Sequence, residues 1–90
     1  MKRILYLHGL ESGNKGPKVD FLKERAEVLA PKINYKDEAL EEKLMYMVEK
    51  FQPDFIIGSS MGGYVGSLLA NRYGIENLLY NPASHDRLLN

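Results

Sequence analysis

Ninety residues allow one domain at most, and a chain this short buries only about 60 to 65% of the surface its unfolded form exposes. Hydrophobic residues at 44% and charged residues at 27% exclude a disordered chain. Twelve cations balance twelve anions and there is no cysteine, which argues against nucleic acid and anionic membranes as partners and excludes a disulfide framework, a thiolate metal site and a cysteine nucleophile.

The chain opens with Lys2 and Arg3 before the apolar run Ile4-Leu5-Tyr6-Leu7, but His8, Gly9 and Glu11 end that run well short of a signal peptide core. No apolar stretch approaches the roughly 18 to 20 residues that span a bilayer. The expectation is a soluble, unexported protein, for which a reducing cytoplasm is a fitting compartment. The run itself reads as a strand buried on both faces of a parallel sheet.

Gly9, Gly13 and Gly16 mark a loop, and Pro17 stands where a first helical turn tolerates a missing N–H. Val19, Leu22 and Ala26 continue at helical spacing. Glu27-Val28-Leu29-Ala30, closed by Pro31, then predicts a second strand at a sheet edge. Asp37 can cap a helix whose apolar residues Leu40, Leu44, Met47, Val48 and Phe51 recur at intervals of three and four, the pattern of one buried stripe. Met45 and Met47 read as core filler on or beside that stripe.

Pro53 ends the helix, and Asp54-Phe55-Ile56-Ile57 predicts a third buried strand running straight into Gly58-Ser59-Ser60-Met61-Gly62-Gly63. Tyr64, Val65, Leu68 and Leu69 give a helical face as far as Tyr73, with Gly74 in the place of a left-handed cap. Ile75 to Tyr80 is a fourth strand leading into Asn81-Pro82, and Ala83 to Asn90 reads as loop or as the start of a further element. Strand and helix alternate without repeats or linkers, which predicts an α/β fold: a parallel sheet of four strands in the order 2-1-3-4, flanked by helices.

Gly58-Ser59-Ser60-Met61-Gly62 matches G-x-S-x-G and falls between a predicted strand and a predicted helix, as the mechanism of that motif requires. A nucleophile exposed on so sharp a turn takes strained backbone angles, and Gly58 and Gly62 let strand and helix approach without a Cβ clash. Ser60 would then present its hydroxyl at the carboxyl end of the sheet, over the positive N-terminus of the helix, with Gly63 extending the relief. A plainer reading is a glycine-rich turn that caps a helix or holds an anion, as in nucleotide-binding α/β proteins. Against it, the segment has neither G-x-G-x-x-G nor the G-K-[ST] of a phosphate loop.

His8-Gly9-Leu10 ends the first strand where a backbone N–H can meet the same site, so the N–H groups of Leu10 and Met61 are the expected oxyanion hole. His8 reads as a strand-end histidine that hydrogen-bonds the loop rather than as a general base. No metal or organic cofactor is called for.

These residues resemble the α/β-hydrolase superfamily, and more closely the small YqiA-like bacterial esterases. The shared segments are Tyr6-Leu7-His8-Gly9-Leu10 with its Ser/Gly-rich loop, Val28-Leu29-Ala30-Pro31, Ile56 to Tyr64, and Leu79-Tyr80-Asn81-Pro82-Ala83. The resemblance implies an esterase acting on short acyl esters or thioesters through Ser60, and it implies that the chain is the N-terminal half of such a domain. In that family the triad acid and histidine follow the fourth strand, which puts them beyond Asn90. His85-Asp86 is the one downstream candidate pair and reads as ordinary loop, since neighbouring side chains rarely align with each other and with a distant serine. The strand at 75–80 would be an unprotected edge, open to a second copy or a complementing chain.

Overall fold

The computed structural model describes residues 1–10 and 13–80. Seven elements alternate along it: β1 (Arg3–Leu7), α1 (Pro17–Lys23), β2 (Glu27–Leu29), α2 (Leu40–Phe51), β3 (Phe55–Ser59), α3 (Met61–Tyr73) and β4 (Glu76–Tyr80). All three strand pairings are parallel and the order is β2-β1-β3-β4, the expected α/β arrangement. Among the described residues no helix is long and apolar enough to cross a membrane.

β1 lies between β2 and β3 and carries side chains into both faces, so its apolar run is continuous rather than alternating. Leu5, Leu7 and Ile56 meet Leu44 and Val48 of α2 and Leu69 and Ala70 of α3 in one core. Tyr6, Ile57 and Leu78 face the other way and, with Pro17, Lys18, Phe21 and Leu22 of α1, line an apolar cavity of about 380 Å³. α3 lies close on the sheet because Gly62, Gly66 and Ala70 recur four residues apart on its buried face. A Cβ built on Gly66 would already stand 3.0 Å from the Cγ2 of Ile56.

The element boundaries shift for local reasons. α1 stops at Lys23, and Ala26 is buried beyond it rather than on it. β2 is three residues long, ending before Ala30. Asp37 does not cap α2. The N-cap is Ala39, while Asp37 accepts the Ala39 N–H with its side chain at 2.9 Å and the Leu40 N–H with its carbonyl at 3.1 Å, closing a turn ahead of the helix. Asp54 stays outside β3 and clasps Arg3: its carboxylate takes the Arg3 N–H and its own N–H goes to the Arg3 carbonyl, both at 2.8 Å. β3 instead runs on through Gly58 and Ser59, which pair with Leu79 and Tyr80. Gly74 takes the left-handed cap of α3 at φ 67°, and Ile75 donates to Ala70 rather than opening β4.

Candidate active site

The site is assembled where β1 and β3 end side by side. Leu7 is in register with Gly58, so the segment after β1 and the turn after β3 emerge together at the carboxyl edge of the sheet, where ligands of open α/β sheets bind. Their contact is backbone on backbone. A Cβ on Gly62 would stand 2.0 Å from the Leu7 oxygen and 2.6 Å from that of His8, and one on Gly58 would stand 2.2 Å from the Gly62 oxygen. Glycine at both positions is therefore a condition of closure. A Cβ on Gly63 would meet the tip of the Leu79 side chain and stand 3.3 Å from the Gly58 oxygen.

Ser60 is the single residue between β3 and α3, with φ 55° and ψ −120°. That combination lies outside the small left-handed basin open to side-chain-bearing residues, in territory that otherwise belongs to glycine. Its carbonyl accepts the N–H groups of Gly63 at 2.9 Å and Tyr64 at 3.2 Å, which ties the strained turn into the helix. Its side chain makes no capping bond, and the residue is exposed. The neighbouring Ser59 is buried and points back towards α1, where its hydroxyl accepts from the Lys18 ammonium at 3.3 Å. Partial burial lowers the Lys18 pKa from its ordinary value. The two serines thus differ in setting, Ser60 exposed and Ser59 buried.

The N–H of Met61 opens α3 directly behind Ser60, and that of Leu10 follows the end of β1. Neither has an acceptor among the described residues. Gly9 is buried and Leu10 exposed. His8 is buried and bonded at both ring nitrogens, to the Gly9 carbonyl at 2.6 Å and to the Ile33 N–H at 2.8 Å. With both nitrogens occupied it has no lone pair to offer Ser60. No group of three His, Asp or Glu side chains among the described residues could hold a metal ion. Asn81-Pro82-Ala83, His85-Asp86 and part of the Glu11 to Gly16 loop lie outside the described residues.

Two residues of this neighbourhood escape sequence reasoning. Lys18 reaches Ser59 across 41 positions, and Tyr35 donates its hydroxyl to the His8 carbonyl across 27. Tyr35 also meets the His8 ring edge to face, with centroids 6.1 Å apart. Both arise from segments whose neighbours in space are set only by the sheet order, and no local pattern marks either.

A parallel α/β sheet whose third strand turns through a strained serine into a glycine-relieved helix defines the class of this protein. Residues 3–88 match the family model of UPF0227, described as an uncharacterised protein family, and the chain belongs to that family. No curated protein and no solved structure matches it.

Proposed function

We propose that the chain carries the nucleophile and oxyanion hole of a serine hydrolase of the α/β-hydrolase type, acting on carboxylic esters, short acyl esters or thioesters among them. The observation that carries this reading is the backbone of Ser60. A non-glycine residue held at φ 55° and ψ −120° costs about 1 to 3 kcal/mol, and such strain persists where a function uses it. Here the strained residue is an exposed serine immediately ahead of the first N–H groups of α3, at the sheet end where β1 also leads into Leu10.

In this scheme the Ser60 hydroxyl attacks the ester carbonyl and the alcohol leaves to give an acyl-Ser60 intermediate. Water then releases the acid. The N–H groups of Leu10 and Met61 hold the tetrahedral oxyanion, fixed in place before charge develops. The base is a histidine aligned by an acid, both placed beyond Asn90 by the resemblance to YqiA-like esterases, because His8 is already engaged at both nitrogens. The chemistry calls for no metal or organic cofactor, and we take the cytoplasm as its setting.

The test is covalent labelling. A fluorophosphonate probe is expected to add once to the 90-residue chain, slowly, with the adduct mapped to Ser60 by mass spectrometry and absent from Ser60→Ala. Turnover of p-nitrophenyl acetate by the same chain is expected to equal that of Ser60→Ala, since a serine without a base stays protonated and weakly nucleophilic. A chain that binds the probe reversibly but is never labelled would be an anion-binding module instead. Ser60-dependent turnover would make His8 or His85 the base.

A further inference from the structure

The turn at Ser60 is held unequally on its two sides. Towards α3 the Ser60 carbonyl accepts the N–H groups of Gly63 at 2.9 Å and Tyr64 at 3.2 Å, which fixes the peptide that leaves Ser60. The φ of Ser60, 55°, turns instead on the peptide that enters it from Ser59. The ladder between β1 and β3 ends at Leu7 and Gly58, so Ser59 is paired only on its β4 side, with Tyr80. A strained residue stays strained only where its neighbours over-determine it, and the backbone leaves Ser59 the less constrained of the two.

The Ser59 side chain makes up the difference. Ser59 is 8% exposed, and its hydroxyl accepts from the Lys18 ammonium at 3.3 Å, across 41 positions of the chain. Lysine ordinarily lays its stem on apolar surface and keeps its ammonium in water. Lys18 does the reverse. It is exposed as a residue and helps to line the apolar cavity between α1 and the sheet, yet its ammonium is turned in to a buried hydroxyl. The ammonium gives up part of its hydration there, which is why its pKa lies below the ordinary value. The bond ties α1, which belongs to neither side of the turn, to the residue on which the φ of Ser60 depends.

We propose that Lys18 is a positioning residue for the nucleophile: through the Ser59 hydroxyl it fixes the strand side of the turn and so keeps Ser60 in its strained conformation. It acts through Ser59 and not on the reacting atoms. The inference rests on the reading of Ser60 as a nucleophile and adds to it a residue of the first helix, outside the G-x-S-x-G motif.

Saturation kinetics of fluorophosphonate labelling at Ser60 test it, because they separate the limiting rate from the probe concentration that half-saturates the chain. In Lys18→Met the limiting rate is expected to fall about 10²-fold, the scale of a misplacement near 1 Å, with the half-saturating concentration unchanged. Ser59→Ala is expected to fall as far, and the double variant no further than either, since both remove the same tie. Lys18→Arg, which can still donate to Ser59, is expected to stay within about fivefold of the parent. A full rate in Ser59→Ala beside a loss in Lys18→Met would overturn the proposal, because the lysine would then act by its charge alone. Losses that multiply in the double variant, or a change confined to the half-saturating concentration, would overturn it as well. Equal labelling of the parent and Lys18→Met would end it and leave the hydrolase reading intact. No labelling of the parent chain would end that reading, and this inference with it. Should Lys18→Met fail to fold, Ser59→Ala decides, and undiminished labelling there counts as refutation.

Discussion

The α-carbon of Gly62 rests against the carbonyl of Leu7 with no room for a methyl group between them: a Cβ there would lie 2.0 Å from the oxygen. Both partners are backbone, so neither can swing aside. Gly62→Ala is expected to cost at least about 3 kcal/mol, through overpacking that only separation of α3 from β1 can relieve. Gly58→Ala should behave alike, having the Gly62 oxygen 2.2 Å from its Cβ. Gly13→Ala, with nothing within 4 Å, should stay within about 0.5 kcal/mol of the parent. Urea denaturation of the three variants checks the order, and a Gly62→Ala as stable as the parent would contradict the contact.

Ser60 should trade stability for reactivity. Glycine occupies its backbone angles without penalty, so Ser60→Gly recovers about 1 to 3 kcal/mol of strain and loses about 0.5 to 1 kcal/mol through its more flexible unfolded state. A net gain of about 1 kcal/mol is expected, together with complete loss of fluorophosphonate labelling. Ser60→Ala keeps the strain and should show no such gain. A less stable Ser60→Gly would mean that the hydroxyl, and not the turn, sets the energy of this position.

The sheet order and the alternation of elements are legible in the sequence because glycine and proline punctuate the apolar runs: His8-Gly9, Pro31, Pro53 and Gly74 each stand where an element ends or soon after. The turn at Ser60 is legible for a related reason, since only glycine fits at 58 and 62. What surrounds it is not. The Asp37 carboxylate looks like a helix cap and closes a turn two residues early, a choice made by local hydrogen bonding that composition leaves open. The partners of His8 are recruited from Ile33 and Tyr35, in a stretch with no strand or helix period to read. Only once β2 has docked on β1 does that stretch lie beside the end of the first strand.

Tyr35 should leave a mark on the alkaline limb of stability. Burial first, and the neighbouring Tyr6 second, push its pKa from 10.0 up to about 12. A pKa raised by folding contributes stability that is complete below the unfolded value and is lost as the pH rises through the folded one, so the loss falls between pH of about 10 and 12. Tyr73 is raised too, chiefly by its bond to Glu49, and titrates in the same sense. In a Tyr73→Phe background, the urea midpoint is expected to drop across that window, and the drop should shrink when Tyr35→Phe is added. Parallel profiles with and without Tyr35 would remove its hydroxyl from the bond to the His8 carbonyl.

β4 should be sticky. Among the described residues it pairs with β3 alone, and Leu78 and Leu79, on opposite faces of the strand, are 58% and 53% exposed. Glu76 is its one charge, little to discourage a further strand. Sedimentation of the 90-residue chain is expected to show an average mass that rises with concentration, and Leu78→Lys is expected to suppress the rise. A monodisperse monomer at the highest soluble concentration would retire the edge as an interface.

The position of β1 between β2 and β3 also sets a timetable. It is synthesised before β2, β3 and β4, yet the clasp from Arg3 to Asp54 spans 51 positions, and β3 is not complete until Ser59. At about 5 to 20 residues per second, roughly 3 to 10 s separate the making of Ile4-Leu5-Tyr6-Leu7 from the arrival of its second neighbour. Pairings so distant along the chain also close slowly once every residue is present. For that interval the most apolar strand of the sheet has an open side in the cell, and a holding chaperone that recognises extended apolar segments would find its target in Ile4-Leu5-Tyr6-Leu7.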